Sequence, residues 1–168
     1  MITVILPGYS PHNKDWALAV AEKLTLKHEI RPVFWDHWTD PEKRFNPSKK
    51  AQDVIDILLS ENVNIIAKSV GTLVAALVVK AIPKRVERVI LCGIPTVSGK
   101  RLGIFKEAFN NFPSENVICF QNTKDPFASD KDVKAFLGKV NRKIKVVEKE
   151  RHDHNYPYFE DFQSFLEK

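Results

Sequence analysis

Cysteine is scarce in this chain. Cys92 and Cys119 are the two present, each in a strand-like run, and no C-x-x-C occurs. A disulfide framework is thereby excluded, and the pair reads as buried free thiols in a reducing compartment. Long hydrophobic runs are missing as well: the longest, Leu73 to Val79, is closed by Lys80, well short of the roughly 20 residues a bilayer span needs. The first ten residues have no basic flank and reach Pro7-Gly8 after one short apolar run, so they read as a first strand and not as a signal peptide. A cytoplasmic location without membrane association is expected.

A dense block of one charge is also lacking. Lysine and arginine number 26 against 21 acidic residues, a net +5 spread along the chain, and no nucleic-acid motif accompanies it, so no nucleic-acid partner is expected. The first strand-to-helix turn lacks G-x-G-x-x-G, and no G-x-x-x-x-G-K-[ST] occurs. Dinucleotide and P-loop nucleotide binding lose their main support, and no cofactor is expected. Asp36 and His37, in Trp35-Asp36-His37-Trp38, have no third ligand at suitable spacing. No metal is therefore expected, and the segment reads as a packed edge.

What is present is an ordinary globular composition, 43% hydrophobic and 28% charged over 168 residues, which suits one domain spanning 1–168. Short β-branched runs alternate with stretches of helical period, the pattern of parallel strands joined by crossover helices, so the fold class is α/β. Strands are expected at Ile2 to Leu6, Ile30 to Trp35, Val63 to Ala67, Val86 to Cys92, Val117 to Gln121 and Ile144 to Val147. Pro32 cannot donate to a ladder, which makes the second strand an edge. Trp16, Val20 and Leu24 share a helical face after an expected Asn13 cap, and Ala51, Val54, Ile55 and Leu58 share another after Asn46-Pro47. Further helices are expected from about Ser129 and across Phe159 to Leu166, with one helix and loops between Ile94 and Pro113.

The most informative segment is Ala67-Lys68-Ser69-Val70-Gly71, where a strand enters a tight turn and then a helix. Small residues two before and two after the serine let strand and helix approach closely, as a nucleophile elbow requires. A-K-S-V-G resembles the G-x-S-x-G of the α/β-hydrolase family, in particular its small serine hydrolases, with Ala67 in place of the first glycine. The resemblance implies a three-layer sandwich around a mostly parallel sheet of about six strands, a minimal α/β-hydrolase fold that begins at the family's third strand. No long insertion separates the later strands, so a shallow, open pocket without a large lid is expected.

The family order of serine, aspartate and histidine falls here on Ser69, Asp125 and His154. Asp125 follows the fifth strand, and its alternative is an ordinary turn aspartate before Pro126. His154, in Asp153-His154-Asn155-Tyr156, looks like the family's histidine followed two places later by an aromatic residue; His152 is the reserve. The resemblance further implies an oxyanion hole from the backbone N–H groups of Val70 and Tyr9. The function so implied is hydrolysis of a small carboxylic ester or related acyl compound through an acyl-serine intermediate, with a small-molecule acyl substrate as partner. The alternatives are a non-catalytic protein of the same fold that binds a protein or small molecule, and a flavodoxin-like module, whose phosphate-binding first loop is missing.

Overall fold

The computed structural model describes all residues except Pro41 and 96–98. Twelve regular elements alternate along it: β1 (Ile2–Leu6), α1 (Asn13–Lys23), β2 (Glu29–Pro32), α2 (Pro47–Ile57), β3 (Val63–Lys68), α3 (Gly71–Ala81), β4 (Val86–Cys92), α4 (Gly99–Phe109), β5 (Val117–Asn122), α5 (Asp130–Val140), β6 (Lys145–Lys149) and α6 (Phe159–Leu166). All strand pairs are parallel, in the order β2-β1-β3-β4-β5-β6.

Alternation along the strands divides the core in two. Ile2, Val4 and Leu6 of β1 and Val63, Ile65 and Ala67 of β3 pack under α2, α3, α4 and α5. Ile5, Ile66, Ile90 and Phe120 point the other way, under α1 and α6. Because both faces are covered, the inner strands read as nearly continuous apolar runs. No helix among the described residues is long and apolar enough to cross a membrane.

Two helix starts follow from local chemistry. The Asn46 side chain accepts from the N–H groups of Ser48 and Lys49, with Pro47 at the first helical position. Ser129 and Asp132 form a reciprocal capping box at α5. Two expectations fail. Asn13 is the first residue of α1 and not its cap, because a Ser10-Pro11 turn already holds the helix start, Ser10 and Pro11 carbonyls accepting from Asn13 and Lys14 N–H. The second strand ends at Pro32, leaving Trp35 outside the sheet, since its last hydrogen bond runs from Val33 N–H to the Ile5 carbonyl. Pro32 does lie on an edge strand. The helix expected between Ile94 and Pro113 is α4, while residues 96–98 of that stretch lie outside the described ones.

Candidate active site

Ser69, Asp125, His154 and Tyr9 lie just beyond the carboxyl ends of β3, β5, β6 and β1, along one rim of the sheet. In open parallel sheets this rim is where ligand crevices form. Ser69 occupies the left-handed region at φ 57°, a conformation that costs a non-glycine residue about 1–3 kcal/mol and must be held by its surroundings. Its N–H donates to the Cys92 carbonyl at 2.9 Å, and its carbonyl accepts from Thr72 N–H at 3.0 Å and Thr72 Oγ1 at 2.6 Å. Gly71 completes the turn, since a Cβ there would stand 2.2 Å from the Leu6 carbonyl oxygen. Ala67 is accommodated because its methyl group points into the core beneath α3.

The first N–H groups of α3 have no partners within the helix, so positive potential gathers beside Ser69. Among the described residues Val70 N–H makes no hydrogen bond, and neither does Tyr9 N–H. The Tyr9 loop is oriented from behind. Trp35 Nε1 donates to the carbonyls of Pro7 and Gly8, while His37 Nε2 and Trp38 Nε1 lie 2.9 and 2.7 Å from the Tyr9 carbonyl. The described peptide bonds are trans, so a carbonyl fixed toward Trp35 turns the Tyr9 N–H of the same peptide unit the opposite way. The segment expected to be only a packed edge therefore buttresses this loop. Asp36 meanwhile pairs with Lys50.

Asp125 is buried and receives three donors: His154 Nδ1 at 2.6 Å, Tyr156 Oη at 2.5 Å and the Phe127 N–H at 2.8 Å. Burial alone would raise its pKa, but the bonds from His154, Tyr156 and Phe127 together outweigh that and hold it below the usual carboxylate range. The loop bearing His154 is tied down by Asn122, whose amide donates to the carbonyls of Asp153 and Asn155 and whose oxygen accepts from Tyr158. Gly93, at φ 59°, makes room for the imidazole: a Cβ there would lie 2.7 Å from His154 Cε1 and 2.6 Å from Tyr156 Cε2. With Nδ1 bound to Asp125, His154 Nε2 is buried and has no hydrogen-bond partner among the described residues, the Ser69 hydroxyl included. His152 is exposed and stands outside the cavity wall.

Ser69, Val70, Tyr9 and His154 share the wall of one cavity of ≈ 830 Å³, within the roughly 300–1,000 Å³ of small-molecule pockets. Trp16 of α1, Phe127 and Phe159 form part of its wall. The thiols of Cys92 and Cys119 are buried and their pKa values raised, which keeps them protonated and inert.

No family model matches the chain, and no curated protein matches it by sequence. Solved structures do. Alpha/beta hydrolase domain-containing protein 10 from mouse superposes with a TM-score of 0.73 at 14% identity, over 99% of this chain and 88% of the other. Est1E from Butyrivibrio proteoclasticus, solved with ferulic acid bound, gives 0.73 at 12% identity over 98% and 87%. Naproxen esterase from Bacillus subtilis gives 0.71 at 10% identity over 99% and 82%. The chain has the α/β-hydrolase fold. Its six parallel strands make it a minimal α/β-hydrolase fold.

Within this α/β-hydrolase fold, Tyr156 and Gly93 join the site without having been singled out in the sequence. A glycine directly after a strand that ends on the site rim was the available signal for Gly93. Tyr156 had been read only as the aromatic residue following the histidine, whereas its hydroxyl is a second side-chain donor to Asp125. Tyr156→Phe is expected to cost about 1.5–3 kcal/mol at neutral pH, the range for a hydrogen bond to a charged group. The folded-state pKa of Asp125 is depressed, so its contribution is present above the unfolded value near about pH 4 and lost as the pH falls through the lower folded value. Urea midpoints of the two proteins should therefore converge below about pH 4. A gap that stays constant into acid would mean that the bond is not one to a carboxylate.

Proposed function

We propose that this α/β-hydrolase-fold protein is a serine hydrolase that cleaves a small carboxylic ester or related acyl compound through an acyl-serine intermediate. The observation that carries the reading is the bond of 2.6 Å between His154 Nδ1 and Asp125, which leaves Nε2 as a buried, unpartnered base beside the cavity that Ser69 lines. The names of structural neighbours, an esterase among them, agree with it.

In this reading Ser69 Oγ rotates toward His154, since catalytic hydrogen bonds commonly close only with substrate in place. Nε2 takes the hydroxyl proton as Oγ attacks the carbonyl carbon. The Val70 and Tyr9 N–H groups receive the oxyanion, and Asp125 stabilises the imidazolium. Collapse expels the alcohol, which leaves with the proton from Nε2. Water then attacks the acyl-serine by the same route, releasing the acid and restoring Ser69. The two free thiols suit a reducing, cytoplasmic setting.

The experiment is labelling with a fluorophosphonate probe and mass mapping of the modified residue. One adduct, on Ser69, that vanishes in Ser69→Ala and weakens in His154→Ala is the expected result. A folded protein that stays unmodified at neutral pH, or is modified elsewhere, would mean a binding protein of this fold instead.

A further inference from the structure

Among the described residues two lysines are buried, and they are treated differently. Lys50 pairs with Asp36 and Asp53, as a buried cation ordinarily does. Lys68 does not. Position 68 has the parity of Ile66, so its side chain lies on the α1 face of the sheet. There it is 7% exposed, with Nζ 5.4 Å from the centroid of the Trp16 ring and donating to Asn13 Oδ1 at 2.8 Å. That neutral amide oxygen is its hydrogen-bond acceptor, and no carboxylate lies within ion-pair distance among the described residues. Burial lowers its pKa, with Cys92, Asp125 and Asp153 acting in the opposite direction.

An ammonium carries three donors, so two are unassigned. The side chain lines the cavity that Ser69 lines, next to it in sequence. Trp16, Val70, Phe127 and Phe159 give the space apolar walls, Arg101 also lines it, and the one carboxylate among the described lining residues, Asp15, is solvent-exposed. The space beside Ser69 thus combines a buried cation with methylene-compatible walls.

We propose that Lys68 is an anion-recognition residue, and that the serine hydrolase reading, on which this rests, narrows to esters carrying a free carboxylate, the simplest being half-esters of short dicarboxylic acids. The carboxylate oxygens take the two remaining N–H donors of Lys68, the methylene chain lies against the aromatic walls, and the ester carbonyl is presented to Ser69. A singly charged carboxylate fits this donor set better than a phosphate dianion, which has three oxygens to satisfy and calls for more than one ammonium.

The test compares the mono-p-nitrophenyl ester of glutaric acid with the same compound capped as its methyl ester. The expected ratio of kcat/KM is about tenfold or more in favour of the free acid, the size of one charge-assisted contact. Lys68→Met should bring the ratio to about one. A lysine that serves only the fold would, when replaced, change both rates together and leave the ratio where it was. A wild-type ratio of one or less, or a ratio unmoved in Lys68→Met, overturns the proposal.

A binding arm separates this failure from failure of the hydrolase reading. Ser69→Ala is titrated calorimetrically with monomethyl and with dimethyl glutarate, before and after adding Lys68→Met. If neither nitrophenyl ester is turned over and Ser69 takes no probe, the hydrolase reading falls. Preferential binding of the monoanion that disappears with Lys68 would still uphold the anion site. Equal binding of the two esters would overturn it. If Lys68→Met does not fold, the wild-type ratio and the two titrations of Ser69→Ala decide.

Discussion

His154→Ala is expected to lower kcat/KM on an activated ester by roughly 10⁴- to 10⁶-fold while the protein stays folded. The imidazole is the one group in the described cavity wall whose ring joins a buried carboxylate on one side to an unpartnered nitrogen on the other. Under the proposed mechanism, Ser69 would then lose its base and the imidazolium that base becomes. Folding should survive, since Asp125 keeps its bonds from Tyr156 and the Phe127 N–H. Asp125→Asn should cost somewhat less, roughly 10³- to 10⁴-fold, by favouring the wrong imidazole tautomer and removing the charge opposite the imidazolium. Steady-state rates alongside His152→Ala give the comparison, because His152 is exposed and outside the cavity. A His154→Ala enzyme with more than about a hundredth of wild-type activity would remove His154 from the general-base role.

The second large effect is on stability. At Gly71 an added Cβ would meet the Leu6 carbonyl oxygen at 2.2 Å, the Pro7 carbonyl oxygen at 2.7 Å and the Leu6 carbonyl carbon at 2.8 Å. All three are backbone atoms at the end of β1, so no side chain can rotate away. Relief requires α3 to shift from the sheet, and α3 is enclosed by α2 and α4 while most of its residues are buried. Overpacking by a single methyl ordinarily costs about 1–3 kcal/mol. With backbone on the opposing side, Gly71→Ala should reach about 3 kcal/mol or more, a fall in Tm of about 10 °C for a chain of this size. The same shift would disturb the turn at Ser69, so whatever folds should also be slow to react with the fluorophosphonate probe. A melting curve within about two degrees of wild type would contradict the close approach of α3 to β1.

The six strands were legible because burial on both faces leaves continuous β-branched runs such as Val86 to Cys92; β1 and β4 have the expected limits, while the others differ at one end or both. The elbow was legible because it is local: five consecutive residues hold the turn's requirements. Asp125 and His154 could be picked out only through the order of residues borrowed from a family. Their own neighbourhoods in sequence are those of ordinary loops.

What escaped the reading is nonlocal. Trp35 was placed in a strand because its neighbours are apolar, but its indole is held by carbonyls 27 and 28 residues earlier in the chain. Asn13 was read as a cap because capping is what asparagine usually does before a helix; here its amide instead bonds Ser10 and Lys68. Lys68 had a legible signal that went unused, since strand parity alone sets it on the same covered face as Ile66. A lysine at a strand end simply reads as solvated until the partner helix is known.

The indole tethers join the Tyr9 loop to the stretch after β2, and β2 is bonded to a single neighbouring strand. Sheet margins loosen before sheet centres, because fewer ladders restrain them. On warming, the molecule would then forfeit the oxyanion donor proposed at Tyr9 while the interior around α3 is still intact, so heat inactivation would begin as a local peeling event and precede the collapse of the core.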